Sequence, residues 1–172
     1  SFDQAKHGIE AARHLPNFKA ITVNGSYFHN SGATLVESLA FTLAQGTTYL
    51  TQLTERGLSV NDVAPRIKFN MAVGPNYFLE IAKMRAARIL WAHIVKAYGP
   101  SDDTKEIMHI HAESSIWNKS VYDPYVNMLR TTTESMSALI GGVDSMTVIP
   151  FNEMYERSSA FSERIARNQQ LL

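Results

Sequence analysis

A fourfold alternation of short β-branched runs with long apolar helical patterns constrains the fold of this chain most strongly. The predicted strands are Ala20–Val23, Arg66–Met71, Ile107–Ala112 and Ser145–Ile149. The predicted helices that follow them are 33–56, 77–98, 123–139 and 159–172, and an earlier helix is expected to end before Pro16. Strands that alternate with helices in this way favour an α/β fold with a parallel sheet covered by helices.

The number of β/α units limits the architecture. A complete (β/α)8 barrel needs eight units and at least about 200 residues, whereas this chain has four predicted units in 172 residues. We therefore expect a single domain over residues 1–172 that is either a short open sheet or half of a barrel. No Gly-x-Gly-x-x-Gly follows a strand and no Gly-x-x-x-x-Gly-Lys occurs, which argues against dinucleotide and P-loop nucleotide sites.

The composition excludes several other classes of function. Sixteen basic residues balance sixteen acidic residues, and without Lys/Arg clusters neither nucleic acid nor an anionic membrane is the expected partner. The absence of cysteine excludes disulfides, Cys-ligated metals and a Cys nucleophile. No apolar run approaches the roughly 18 residues of a membrane span, and cytoplasm is the default compartment.

The third predicted strand carries the sharpest candidate site. His109, His111 and Glu113 alternate along it, so their side chains are expected to share one face. Imidazole and carboxylate groups are metal ligands, which makes a metal-dependent barrel hydrolase one interpretation. The simpler interpretation is a polar strand face that lines a barrel interior or an interface, satisfied by hydrogen bonds. We favour it because spacing alone does not establish a metal site.

The loop after the first strand holds a second candidate pair, Tyr27 and His29. Loops at the carboxyl ends of parallel strands are where active sites form in β/α folds. A histidine can act as a general acid and a tyrosine can donate to a carbonyl oxygen. The alternative is that these residues only lead into the next helix, with Asn30 and Ser31 as caps. The basic run Lys83/Arg85/Arg88 is predicted to be the solvated face of the second helix.

Short motifs spread over the whole chain suggest a family. They are Gly25, Gly32-Ala33-Thr34, Leu39 to Ala44, Ala64-Pro65-Arg66, Glu80 to Ala86, Asp123-Pro124-Tyr125, Arg130-Thr131-Thr132 and Arg164 to Asn168. In combination they resemble the methylmalonyl-CoA mutase family, in the carboxyl-terminal half of its substrate-binding TIM barrel. The resemblance implies four of eight β/α units from a longer chain. It also implies adenosylcobalamin as the cofactor of a radical rearrangement of methylmalonyl-CoA to succinyl-CoA.

The resemblance breaks down at the positions of the family's site. Aligned on the glycines of the first loop, the histidine that contacts the substrate carbonyl falls on Tyr27. In the third unit His111 is kept, but the substrate-contacting glutamine is Glu113 and the corrin-side glycine is Ile116. Arg66 is kept and is the one substrate-binding candidate, whereas the small polar residue two positions later is Lys68.

These departures resemble the small (beta) subunit of heterodimeric mutases, which keeps the fold without the catalytic site. On this reading Tyr27, His111 and Glu113 are vestigial site positions, and the partner is a catalytic large subunit. The sequence also lacks the family's cobalt-ligating Asp-x-His-x-x-Gly motif, so no cobalamin is expected on this chain alone. Exposed edges of a half barrel predict self-association of the isolated segment. The alternatives are an acyl-CoA mutase with an altered substrate that uses Tyr27, and the metal-dependent hydrolase.

Overall fold

A four-stranded parallel sheet forms the centre of the molecule, as the computed structural model shows for residues 1–101 and 108–171. The strands are β1 (Ile21–Asn24), β2 (Ile67–Val73), β3 (His109–Ser114) and β4 (Ser145–Thr147), and they lie side by side in chain order. All neighbouring pairs are parallel, which confirms the predicted α/β class and the parallel sheet. The predicted start of the third strand at Ile107 lies outside the described residues.

Seven helices accompany the sheet in the described part of the chain. They are α1 (Phe2–Ala11), α2 (Ser26–Asn30), α3 (Leu35–Glu55), α4 (Val60–Val63), α5 (Tyr77–Ala97), α6 (Val126–Gly141) and α7 (Ala160–Asn168). The long helices α3, α5 and α6 confirm the helical periodicity of the sequence. In the described ranges, none of the helices combines the length and hydropathy that crossing a membrane requires.

Two local predictions need correction. The stretch after β1 was expected to be an open loop, but it contains the five-residue helix α2. Arg66 was expected to begin the second strand, but residues Ala64–Arg66 form a 3-10 turn and the strand begins at Ile67. Neither short helical turn could be predicted from its turn-forming residues, because Gly25 and Pro65 are compatible both with loops and with helix starts.

The sheet has one apolar and one polar face, because successive side chains of a strand point to opposite sides. On the apolar face Phe69 and Ile110 are fully buried beneath the helices. The ring of Phe69 lies 4.7 Å from that of Trp91 of α5. The other side is called the polar face below, and its residues are Thr22, Asn24, Lys68, Asn70, His109, His111, Glu113, Ser145 and Thr147.

Candidate functional site

The polar face brings together the candidate residues of the third strand. The strand alternates between half-buried and fully buried positions, and His109, His111 and Glu113 are its half-buried members. Asn70 of β2 is the register partner of His111 on β3. The predicted common face of the three residues is therefore present, and the remaining question is what their side chains bind.

The amide of Asn70 joins three strands at the carboxyl end of the polar face. Its Nδ2 donates to Asn24 Oδ1 at 3.0 Å and to Glu113 Oε2 at 3.1 Å. The Ser26 hydroxyl at the start of α2 donates to the same Asn24 oxygen at 2.7 Å. The Glu113 carboxylate is thus held against β2 by a neighbouring amide, which fixes its position on the sheet.

The two histidines of β3 bind to the other side, toward β4. His111 Nδ1 lies 2.7 Å from Ser145 Oγ, and His111 Nε2 lies 3.2 Å from Thr147 Oγ1. Burial lowers the pKa of His111, and the positive charge of Lys68 lowers it further. His109 Nδ1 lies 3.1 Å from the carboxylate of Asp144. Both rings contact polar groups of β4 or of the residue just before it.

These contacts do not form a metal centre. His109, His111 and Glu113 each bind a different polar group, and within residues 1–101 and 108–171 no cluster of three or more His, Cys, Asp or Glu side chains could hold a metal ion. The arrangement corresponds to the simpler interpretation of the sequence, a polar strand face satisfied by hydrogen bonds. The hydrolase hypothesis finds no support in this part of the chain.

The second predicted pair, Tyr27 and His29, is separated by the fold. Both belong to α2, but the Tyr27 side chain is 71% exposed whereas His29 is only 8% exposed. His29 Nε2 lies 2.8 Å from the Ser115 hydroxyl, on the loop that follows β3. The two side chains therefore do not form one reactive group. Tyr27 is available to a ligand at the carboxyl end of the sheet, and His29 is packed inside.

Behind this end of the sheet lies a cluster of charges that the sequence did not reveal. The buried charge cluster consists of the ion pairs Glu80–Lys83, within α5, and Lys119–Glu134, between the loop after β3 and α6. Lys83 also donates to the backbone carbonyl of Ala72 at 2.8 Å. Its side chain is buried, so the prediction that it lies on a solvated helix face is wrong.

Arg66 lies at the opposite, amino end of β2. Its guanidinium donates to the backbone carbonyls of Ala12 at 2.8 Å and Leu15 at 2.7 Å, where the chain leaves α1. A third bond, of 3.3 Å, reaches the carbonyl of Arg13. These bonds attach the first helix to the base of the sheet. The assignment of Arg66 to substrate binding stays a prediction, and this position does not favour it.

Ile116 lies on the loop after β3, close to α2. Its side chain is half-buried, and its backbone N–H donates to Asn30 Oδ1 at 3.2 Å. The next residue, Trp117, covers Gly32, where a Cβ would lie 3.2 Å from the indole ring. Gly32 has a φ of 95°, a conformation that glycine adopts without strain. The two loops are thus in direct contact at the carboxyl end of the sheet.

Comparison with known proteins gives consistent matches along nearly the whole chain. The family model described as methylmalonyl-CoA mutase matches residues 6–172. A Porphyromonas gingivalis protein named methylmalonyl-CoA mutase small subunit is 52% identical over 166 residues, which cover 95% of this chain and 27% of that protein.

Two further relatives are named methylmalonyl-CoA mutase without a subunit. The Rhizobium meliloti protein is 41% identical over 161 residues, which cover 94% of this chain and 23% of the relative. The mitochondrial protein of Homo sapiens is 38% identical over 162 residues, covering 94% of this chain and 22% of the relative. The chain spans about a quarter of the length of these curated relatives.

Proposed function

The chain belongs to the methylmalonyl-CoA mutase family, and we propose that it is a segment of a small subunit that pairs with a catalytic large subunit and does not itself catalyse the isomerisation. The observation that carries the proposal is the 52% identity to a protein named as the small subunit. The two relatives named methylmalonyl-CoA mutase without a subunit are less similar to this chain, at 41% and 38% identity.

The geometry of the polar face supports a non-catalytic role. Glu113 stands where the family resemblance places a substrate-contacting glutamine, and Asn70 holds its carboxylate at 3.1 Å. A methylmalonyl group carries a carboxylate of its own, and two like charges brought together disfavour binding. Tyr27 stands where the resemblance places the histidine that contacts the carbonyl. An altered mutase that uses Tyr27 stays a prediction. Loss of activity in Tyr27→Phe, measured on protein purified free of any large subunit, would support it.

The residues of this segment do not fit the adenosylcobalamin that the family implies. Where the resemblance places a glycine against the corrin ring, the branched side chain of Ile116 is half-buried and its backbone is bonded to Asn30. A close approach of a large planar ring needs a residue without a side chain at that point. We therefore place the cobalamin of the complex outside this segment.

We also propose that residues 1–172 are one half of a TIM barrel. Strands β1 and β4 are each paired on one side only in the described part of the chain, and exposed strand edges favour further pairing. Exposed apolar side chains also lie on two of the helices that pack on the sheet: Val36 and Phe41 on α3, and Leu129 and Ile140 on α6. Four further β/α units, from the same polypeptide or another copy, would cover the edges and the polar face, and the isolated segment would self-associate.

The test is calorimetric titration of the full-length protein with cobalamin and with methylmalonyl-CoA, first alone and then with a candidate large subunit. The proposal expects no binding of either ligand to this protein alone and tight association with the large subunit. Binding of both ligands by the protein alone would overturn the non-catalytic role. Failure to associate with any large subunit would overturn the pairing.

A further inference from the structure

We propose that His29 is a proton-sensitive latch between the loop after β1 and the loop after β3, closed when the imidazole is neutral and opened when it is protonated. This device is independent of whether the subunit is catalytic. It concerns how the carboxyl end of the sheet is held together, and it follows from the contacts of one buried side chain.

Three contacts join the two loops. His29 Nε2 lies 2.8 Å from Ser115 Oγ, the backbone N–H of Ile116 donates to Asn30 Oδ1 at 3.2 Å, and Trp117 covers Gly32. His29 and Ser115 are 86 positions apart in the chain. Of the three contacts, only the His29 bond contains a group that titrates near neutral pH.

The imidazole is buried among the described residues. It is 8% exposed, and a Cβ on Gly74 beneath it would lie 2.9 Å from its Cε1 atom. Its Nδ1 atom is buried and has no hydrogen-bond partner among the described residues. A neutral ring can leave Nδ1 as an unprotonated acceptor, whereas a protonated ring carries an N–H there. A buried charged donor without an acceptor is strongly unfavourable.

The charges around the ring oppose its protonation as well. Burial lowers the pKa of His29, and the ammonium group of Lys83 lowers it further. Glu80 acts in the opposite direction, but its carboxylate already accepts the Gly74 N–H at 3.0 Å and pairs with Lys83. Lys119 from the loop after β3 also lowers the pKa of His29, and Lys119 is itself paired with Glu134 of α6.

The sign of the pH dependence follows. An exposed histidine titrates near 6.5, and enclosed His29 binds a proton less readily. The open state therefore takes up protons that the closed state does not, and the closed state loses stability as the pH falls below about 6.5. Well above that pH both states are neutral at this residue, and proton uptake no longer favours the open state.

Helix α2 is the element that can open at low cost. It has five residues and no side-chain cap at its amino end, and short elements of this kind open locally before the whole domain unfolds. Further contacts also hold it: Phe28 packs on Phe41, at 5.4 Å between ring centres, Gly25 lies against Thr42, and the Ser26 hydroxyl donates to Asn24. Opening would move Tyr27 and remove the support beneath Trp117, and both aromatic side chains are exposed.

The experiment is fluorine NMR of the full-length protein labelled with 5-fluorotryptophan, titrated from about pH 8 to pH 5. Trp117→Phe assigns the resonance of Trp117, which is 64% exposed, and Trp91 in the core reports global folding. We expect the Trp117 resonance to shift with a midpoint below about 6.5 while the Trp91 resonance stays in place. His29→Gln should abolish the shift. His93→Gln, on the exposed side of α5, is the matched control and should retain it.

Two outcomes would overturn the latch: a Trp117 shift that persists in His29→Gln, or a Trp117 resonance that moves only together with that of Trp91. If His29→Gln does not fold, His29→Leu provides the second test. It keeps a buried side chain at this position, removes the titrating group and leaves the Ser115 hydroxyl bonded to the Trp117 N–H. The Trp117 resonance of His29→Leu should stay in place between pH 8 and pH 5, and a shift that persists in this variant would contradict the proposal.

Discussion

The polar face of the sheet and the buried charge cluster behind it both contain charged and polar side chains, but they differ in how far these side chains are exposed to water. On the polar face, Glu113 and His111 are half-buried and bound to neutral side chains. In the cluster, the side chains of Lys119 and Glu134 are 3% and 0% exposed and bind each other at 2.7 Å. The difference teaches that a polar residue is available to a ligand only where water can replace its protein partner.

The largest effect is expected from breaking the buried pair with Lys119→Met. Glu134 would then be a buried carboxylate without its counter-charge, and such a loss lowers the free energy of unfolding by about 3–5 kcal/mol. Urea denaturation of the full-length protein measures it. The double variant Lys119→Met/Glu134→Leu removes both charges and should recover much of the loss. A cost below about 1 kcal/mol for the single variant would mean that the pair is exposed in solution.

A smaller effect is expected at the amino end of the sheet from Arg66→Gln. The glutamine cannot reproduce the guanidinium bonds to the carbonyls of Ala12 and Leu15, and hydrogen bonds from charged groups contribute about 1.5–3 kcal/mol. Denaturation should show a loss of that order. A variant of unchanged stability with altered affinity for methylmalonyl-CoA would instead assign Arg66 to substrate binding.

The space under the latch can be tested with Gly74→Ala. The added methyl would lie 2.9 Å from His29 Cε1 and 3.2 Å from Glu80 Oε1, so it would push on the ring and on the cluster together. Inserting a methyl into a packed interior costs about 1–3 kcal/mol. Gly8→Ala is the matched control, because its nearest neighbour would be 4.0 Å away. Equal stability of the two variants would contradict the tight packing around His29.

The smallest effect is expected on the polar face, from Glu113→Gln. An amide oxygen can accept the Asn70 bond in place of the carboxylate, and the site is half-buried. Substitutions of this kind change the free energy of unfolding by no more than about 0.5 kcal/mol. A loss comparable to that of Lys119→Met would show that the polar face is as much a part of the folding core as the cluster.

Several features of the site were predictable from local patterns. The alternation of His109, His111 and Glu113 placed them on one face because a strand repeats every two residues. The same rule could not separate a metal site from a hydrogen-bonded face, since that depends on Asn70, Ser145 and Asp144 on neighbouring segments. Lys83 was misassigned for a related reason, because its ammonium group is buried against β2, where it donates to the carbonyl of Ala72.

The sequence by itself determined the order of strands and helices, the parallel sheet and the family of the protein. These depend on hydrophobic periodicity, turn residues and short motifs, all of which are local. Only the tertiary structure decided that His29 is enclosed while Tyr27 is exposed, and that Arg66 secures the amino end of the sheet. Burial is decided by residues far apart in the chain, such as His29 and Ser115, and folding brings their polar groups together because each needs a partner away from water.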